Sequence, residues 1–111
     1  MWSSNPFVAI NSVQCRPEYV PRFKELFTTR AGAIDRMPGF IDMAVLEPKT
    51  DGEPYLIISR WQDESTFQAW TKSPEFMEGH KRAFADLKMA KERGEELPMH
   101  SSFETYSVLT T

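Results

Sequence analysis

The sequence predicts an α+β domain of the ferredoxin-like split β-α-β-β-α-β type, built on an antiparallel sheet. Three observations lead there. Four stretches of seven to nine residues are rich in apolar and β-branched side chains, the composition of strands. Two stretches between them carry apolar residues at three- and four-residue spacing, the period of a helix. The middle two strands are separated only by a turn with Asp51-Gly52 at its centre, which suits a hairpin.

The first strand is expected over residues 7–15 (FVAINSVQC). Side chains alternate along a strand, so Phe7, Ala9, Asn11, Val13 and Cys15 share one face. Pro17 breaks this pattern, and a helix is expected over about residues 18–36. Val20, Phe23, Phe27, Ala31 and Ile34 form its apolar stripe. Pro38-Gly39 stops it. The second strand is expected over residues 40–47 (FIDMAVLE). After the turn at 48–54, the third covers 55–61 (YLIISRW) and is apolar enough to be central. Asp63 can cap a short helix over 64–72 by accepting from its free N–H groups. Ser73-Pro74-Glu75 then reads as a fresh helix start: a capping hydroxyl, a proline where no N–H is needed, and an acid near the positive end. That helix is expected from Pro74 to about Arg93, before Gly94. The last strand is expected over 102–109 (SFETYSVL), with His100 in the turn before it.

A chain of 111 residues suffices for one domain, taken here as 1–111, with one core. The strands carry apolar residues on both sides: Tyr55, Ile57 and Trp61 alternate with Leu56 and Ile58. Helices cover one sheet face, so a symmetric homodimer is the economical cover for the other. A net charge of -3 without a Lys/Arg cluster argues against nucleic acid or an anionic membrane surface as partner. No apolar run approaches the ~20 residues of a membrane span. Residues 1–6 lack the charged start and apolar stretch of a signal peptide. Cys15 is the lone cysteine and can form no internal disulfide, which fits a reducing, cytoplasmic setting. It reads as an inert small hydrophobe rather than a reactive thiol.

Three side chains stand out as candidates for chemistry. Asn11 interrupts an apolar strand, on the face expected to meet the helices. It bonds a nearby backbone group or faces a ligand. Trp70 ends a short helix, either as core with its indole N–H at the rim or as a pocket wall. His80 shares a helix face with Phe76, Met77, Phe84 and Leu87. It is a satisfied core histidine or a ligand. A protein-only metal cage does not suit the sequence, since His100 is the only other histidine and no HxxxH or HExxH spacing occurs. One imidazole can still hold haem iron, because the porphyrin brings four nitrogens of its own. An amide, a flat aromatic and an imidazole around one cavity would suit such a flat, metal-bearing ligand.

Four segments carry a family resemblance: AINSV around Asn11, RMPGF at 36–40, ISRWQDESTFQAWTKSPEFMEGHK at 58–81, and the closing FETYSVL. Together they resemble the Isd-type haem-degrading monooxygenases, of the antibiotic biosynthesis monooxygenase (ABM) superfamily of dimeric α/β barrels. The likeness covers nearly the whole chain. The W-F-AW-SP-F-H spacing is common to the superfamily and implies fold. The Asn/Trp/His set is specific to the haem-degrading branch and falls on Asn11, Trp70 and His80.

The resemblance implies haem as both substrate and cofactor, cradled by Asn11, Trp70, His80, Phe76, Phe84 and Phe23. His80 would ligate the iron, and O2 would enter on the opposite face with electrons from an external donor, an unidentified reductase. Asn11 would donate a hydrogen bond to that oxygen, and Trp70 would press the porphyrin out of plane. The outcome would be oxidative ring opening, with release of iron and a linear tetrapyrrole. Two alternatives fit the same pocket: a cofactor-free monooxygenase acting on a quinol or polyketide-like aromatic, and a haem carrier without turnover. Residues 84–99 depart from the family pattern and would lengthen the helix or form a flap. Arg82 or Lys88 could meet haem propionates, or lie on the surface.

Overall fold

The computed structural model of the chain describes residues 6–30 and 32–111. Residues 1–5 and Ala31 lie outside the described residues. The expected leaderless start and the place of Ala31 in the helical stripe therefore lie outside them too. Four antiparallel strands form one sheet in the order β2-β3-β1-β4: β1 Phe7–Cys15, β2 Phe40–Leu46, β3 Tyr55–Trp61 and β4 Met99–Ser107. Three helices join them: α1 Val20–Thr28, α2 Glu64–Thr71 and α3 Pro74–Glu92. This is the α+β order expected, with the second helical region split. The caps are those the sequence supplies. The Asp63 carboxylate accepts from the Thr66 N–H at 2.9 Å, and the Ser73 hydroxyl accepts from the Phe76 N–H at 3.2 Å.

Two boundaries differ from expectation. The helix expected over 18–36 is three pieces: a 3-10 turn Pro17–Tyr19, α1, and a second 3-10 turn Ile34–Arg36. The Thr29 hydroxyl folds back on the Glu25 carbonyl at 2.6 Å as α1 ends. Gly32 then takes φ +74°, the left-handed region that no continuing helix can use. Ile34 nonetheless packs against the core, so the apolar spacing survives an interruption it does not reveal. The last strand, expected over 102–109, both starts and ends earlier, as Met99–Ser107, so Val108 and Leu109 lie beyond it. Met99 pairs with Cys15 and His100 with Gln14, so His100 belongs to β4 and not to a turn. Residues 84–99 lengthen α3 to Glu92 and then return to the sheet; they form no flap.

Register puts the odd-numbered residues of β1 and β3 under the helices. Phe7 lies opposite Trp61, Ala9 opposite Ser59, Asn11 opposite Ile57 and Val13 opposite Tyr55. The core beneath the helices divides into two clusters. One gathers Ala9, Ala33, Trp61, Phe67 and Trp70; the other gathers Val13, Phe23 and Tyr55. Gly39 locks the start of β2 onto α2. It sits at φ +81°, and any Cβ there would lie 2.5 Å from the Thr66 side chain.

The opposite sheet face carries Ile10, Leu56 and Ile58, half-buried, beside Leu46 and Tyr106, which are 45% and 51% exposed. Its main polar feature is a two-pronged ion pair of Arg60 with Asp42, at 2.7 and 2.6 Å. That bond holds the Asp42 carboxyl below the usual carboxylate range.

Candidate functional site

A cavity of about 470 Å³ lies between the sheet and the helices, lined from both core clusters. It falls within the roughly 300–1,000 Å³ typical of small-molecule sites. Asn11, Phe23, Trp70, Phe76, His80 and Phe84 all line it. The structure thus brings together the six residues expected to cradle the ligand, while of the two candidate propionate partners only Arg82 joins them.

Each arrives by a different route. Asn11 projects from β1 because strand alternation puts it under the helices. Its Oδ1 is buried and has no hydrogen-bond partner among the described residues. The backbone bond considered for it is not made by this atom. A buried acceptor left unpaired costs roughly 1–3 kcal/mol, so this atom calls for a partner from outside the protein, a ligand or an ordered water. Rotation about χ2 presents either the oxygen or the NH2 group at that point, so this side chain can accept or donate.

Trp70 ends α2 and is both core and wall. It stacks on Trp61 at 6.3 Å between ring centroids and meets the Phe76 ring edge-on at 5.3 Å. It is only 6% exposed yet lines the cavity, so its indole face is fixed by packing. Gly79 of α3 faces the indole, but a Cβ there would sit 3.5 Å away, ordinary van der Waals contact, so the approach does not depend on the glycine.

His80 is sandwiched between Phe76 and Phe84, with centroids 4.1 and 5.3 Å away and rings within 28° and 23° of parallel. Its Nδ1 lies 2.7 Å from the Phe76 carbonyl oxygen. A carbonyl can only accept, so Nδ1 carries the proton. In the neutral ring Nε2 then holds the free lone pair, the form in which imidazole binds a metal. Among the described residues no group of three or more His, Cys, Asp or Glu could hold a metal ion. A metal at His80 would have to bring its remaining ligands with it, as iron in a porphyrin does.

The charged residues of the lining are two arginines. Arg82 reaches over to the end of α1, donating to the Thr29 hydroxyl at 2.9 Å and to the Leu26 and Thr29 carbonyls at 3.1 Å each. A cation at a helix C-terminus satisfies carbonyls that have no partner within the helix. Arg30, which the sequence reading missed, pairs with Asp35 at 2.9 and 3.3 Å. Lys88 does not line the cavity; it lies 3.9 Å from Glu92 on the exposed side of α3. Ser59, Ile57, Met43 and Phe103 were missed as well, because only the strand register shows which residues of β2 to β4 lie under the helices.

A larger open cleft, about 680 Å³, runs along the far end of α3. Its charges are already paired with one another: the Asp86 carboxylate accepts from Tyr19 at 2.7 Å and from Arg22 at 2.9 Å, and Arg16 pairs with Glu18 and Glu96. Burial pushes Asp86 upward, but the Arg22 and Tyr19 bonds outweigh it and hold its carboxyl low. This network pins α3 to the start of α1. Cys15 stands apart from any activating cation, and burial raises its thiol to about 11, as expected of an inert side chain.

Residues 6–82 match the family model described as antibiotic biosynthesis monooxygenase. A heme oxygenase (mycobilin-producing) of Mycobacterium tuberculosis is 32% identical over 69 residues, which are 62% of this chain and 66% of that protein. A heme-degrading monooxygenase of Bacillus thuringiensis is 38% identical over 53 residues, 46% of this chain and 50% of that protein. The matched region thus spans just under two thirds of the first relative and half of the second. Among solved structures, the heme-degrader MhuD of M. tuberculosis with two hemes bound in its active site superposes with a TM-score of 0.67. It is 26% identical, over 95% of this chain and 97% of that one. SnoaB, a cofactor-independent oxygenase of Streptomyces nogalater, gives a TM-score of 0.73 at 18% identity over 97% of both chains, a likeness of fold alone.

Proposed function

The chain belongs to the antibiotic biosynthesis monooxygenase family, and from that premise we propose that it is a haem-degrading monooxygenase. The observation that carries this reading is the pairing, in one apolar cavity, of an imidazole whose Nδ1 is engaged by a carbonyl, leaving Nε2 for a ligand, with a buried amide oxygen that no protein group among the described residues satisfies. The names of its mycobacterial and Bacillus relatives point the same way.

Haem is the substrate, and on reduction by an external donor it supplies the oxygen-activating chemistry. The protein supplies the rest. His80 Nε2 holds the iron, with its ring angle set by the Phe76 carbonyl and the two flanking phenyl rings. Asn11 presents a hydrogen-bonding group on the sheet side, where it orients the incoming O2. Trp70 is packed against Trp61 and Phe76, so its indole would bear on a ring bound in the cavity. Phe23, Phe76 and Phe84 exclude water. Arg82, whose hydrogen bonds go to neutral oxygens, puts positive charge at the wall, which suits the carboxylates of a porphyrin. Release of iron and a linear tetrapyrrole follows from ring opening.

Two optical steps test this. Haem titrated into the protein is expected to give a Soret shift saturating near one per chain. Ascorbate or a reductase with O2 should then bleach that band. A wild-type protein that gives no Soret shift would instead support a cofactor-free oxygenase, the chemistry of the Streptomyces enzyme that shares its fold. One that binds haem and never bleaches it would be a carrier.

The apolar outer sheet face supports a homodimer formed by pairing two such faces. Leu46 and Tyr106 flank its half-buried centre. Sedimentation equilibrium at micromolar concentration is expected to show twice the 12.8 kDa chain mass. A clean monomer would remove this assignment. No helix among the described residues is long and apolar enough to cross a membrane. With a lone, unreactive cysteine, a cytoplasmic setting completes the proposal.

A further inference from the structure

Ser59 is the one buried polar residue among those described, and it lies on the cavity wall. It is 8% exposed, in the middle of β3, directly opposite Ala9 of β1. Its hydroxyl has one proton to give and two lone pairs to share. The Trp61 indole N–H takes one lone pair, at 3.0 Å. The hydroxyl proton has no acceptor among the described residues. Most buried serines end their bonding on the backbone; this one leaves a donor in the cavity.

Its surroundings make that donor directional. Trp61 is completely buried and is held by the rings of Phe40, Phe67 and Trp70 at 5.4, 5.7 and 6.3 Å. Its N–H cannot swing away, so the hydroxyl has lost part of its rotation. Donation into Oγ also polarises the O–H bond and makes it a better donor. Asn11 is the diagonal neighbour across the β1–β3 pair, since it lies opposite Ile57 while Ser59 lies opposite Ala9. Diagonal positions on one face are roughly 7–8 Å apart, so two such side chains can reach the same small group from different sides. The methyl of Ala9 leaves the surface beside Ser59 low and open.

We propose that Ser59 is a specificity-determining residue of the pocket: its hydroxyl, oriented by Trp61, joins Asn11 in hydrogen bonding the oxygen ligand and so fixes which edge of the ring is oxidised. This rests on the haem-degrading reading. An oxygen ligand bonded from one side only would lean toward one edge of the macrocycle. Two donors on different strands set its direction as well as its polarity.

The test uses the full chain loaded with haem. Carbon monoxide on the reduced haem probes the donor without turnover, because a hydrogen bond to its oxygen lowers the C–O stretching frequency. Ser59→Ala is expected to bind haem at the wild-type stoichiometry and to raise that frequency. Its ring-cleavage regioisomers, separated by chromatography after ascorbate-driven turnover, should change in ratio roughly two- to tenfold, the range a neutral hydrogen bond commands. Ser59→Thr keeps the hydroxyl and should resemble wild type in both measurements. A serine that merely satisfied Trp61 would lower thermal stability when replaced and move neither readout. Unchanged C–O frequency and unchanged product ratio in Ser59→Ala therefore overturn the assignment. Should that variant fail to fold, Ser59→Cys, with a weak S–H donor, is judged by the same two measurements. Failure of the underlying reading shows separately, as a wild-type protein that gives no Soret shift when haem is added.

Discussion

His80→Ala is expected to lose axial ligation and most of its haem affinity. The aromatic walls would remain, so some haem should still partition into the cavity, with the spectrum of an unligated or water-ligated iron. Removing only an outer partner of a metal ligand costs about 10- to 100-fold in affinity. Removing the ligand itself should exceed that. The fold should tolerate the change, because His80 is only half-buried and what it gives up locally is a stack with Phe76 and Phe84 and one bond to a carbonyl. Parallel titrations read by the Soret band provide the measurement. Free imidazole added to the variant should restore the wild-type spectrum by filling the space the side chain left. If the variant binds haem with the wild-type spectrum and affinity, His80 is not the ligand.

Asn11→Ala should separate binding from turnover. Asn11 does not hold the iron, so bound haem should stay near the wild-type amount. A hydrogen bond that strengthens as charge develops on oxygen is typically worth about 2.7–4 kcal/mol, or roughly 100- to 1000-fold in rate. Bleaching of the Soret band under reductant should slow by that order. The ligand-free variant should meanwhile become more stable, because the substitution removes a buried acceptor that nothing satisfies. The gain is about 1–3 kcal/mol, less whatever packing the amide contributed. Slower turnover together with a higher Tm is a signature that a structural asparagine cannot give. A lower Tm with unchanged bleaching would return Asn11 to a packing role.

Much of this was legible because local period and function coincide in the sequence. Asn11 is conspicuous only because alternation along β1 puts an amide where Ala9 and Val13 would demand a hydrophobe. His80 is conspicuous because the Phe76/Phe84 face of α3 is otherwise apolar. Both inferences need one element each. Ser59 and Phe103 needed register between strands far apart in sequence, and composition does not supply that. Ser59 did leave a trace, a hydroxyl within YLIISRW, but a serine in a strand is commonplace unless its burial is known. The break after α1 was hidden for a different reason. Phe27 and Ile34 are seven residues apart, so the stripe continues in phase across Gly32, and periodicity cannot tell a continuous helix from one that stops and resumes on the same side. The start of β4 was hidden by polarity: Met99-His100-Ser101 lacks strand character, and its pairing with Cys15, Gln14 and Val13 makes it a strand.

The carbonyl behind His80 has an electrochemical consequence. In many metal sites the second nitrogen of the ligating histidine donates to a carboxylate, which gives the ring anionic character and makes it a stronger base. Here the partner is the neutral carbonyl of Phe76, one turn back on the same helix, and among the described residues no acid lines the cavity. An imidazole backed in this way pushes little charge onto a bound metal. The ferric state gains least from such surroundings, so the reduction potential would sit higher than with a carboxylate-backed histidine. A mild electron donor would then be enough to bring bound iron to the ferrous state, so that the fold, through one backbone oxygen, widens the range of reductants able to start turnover.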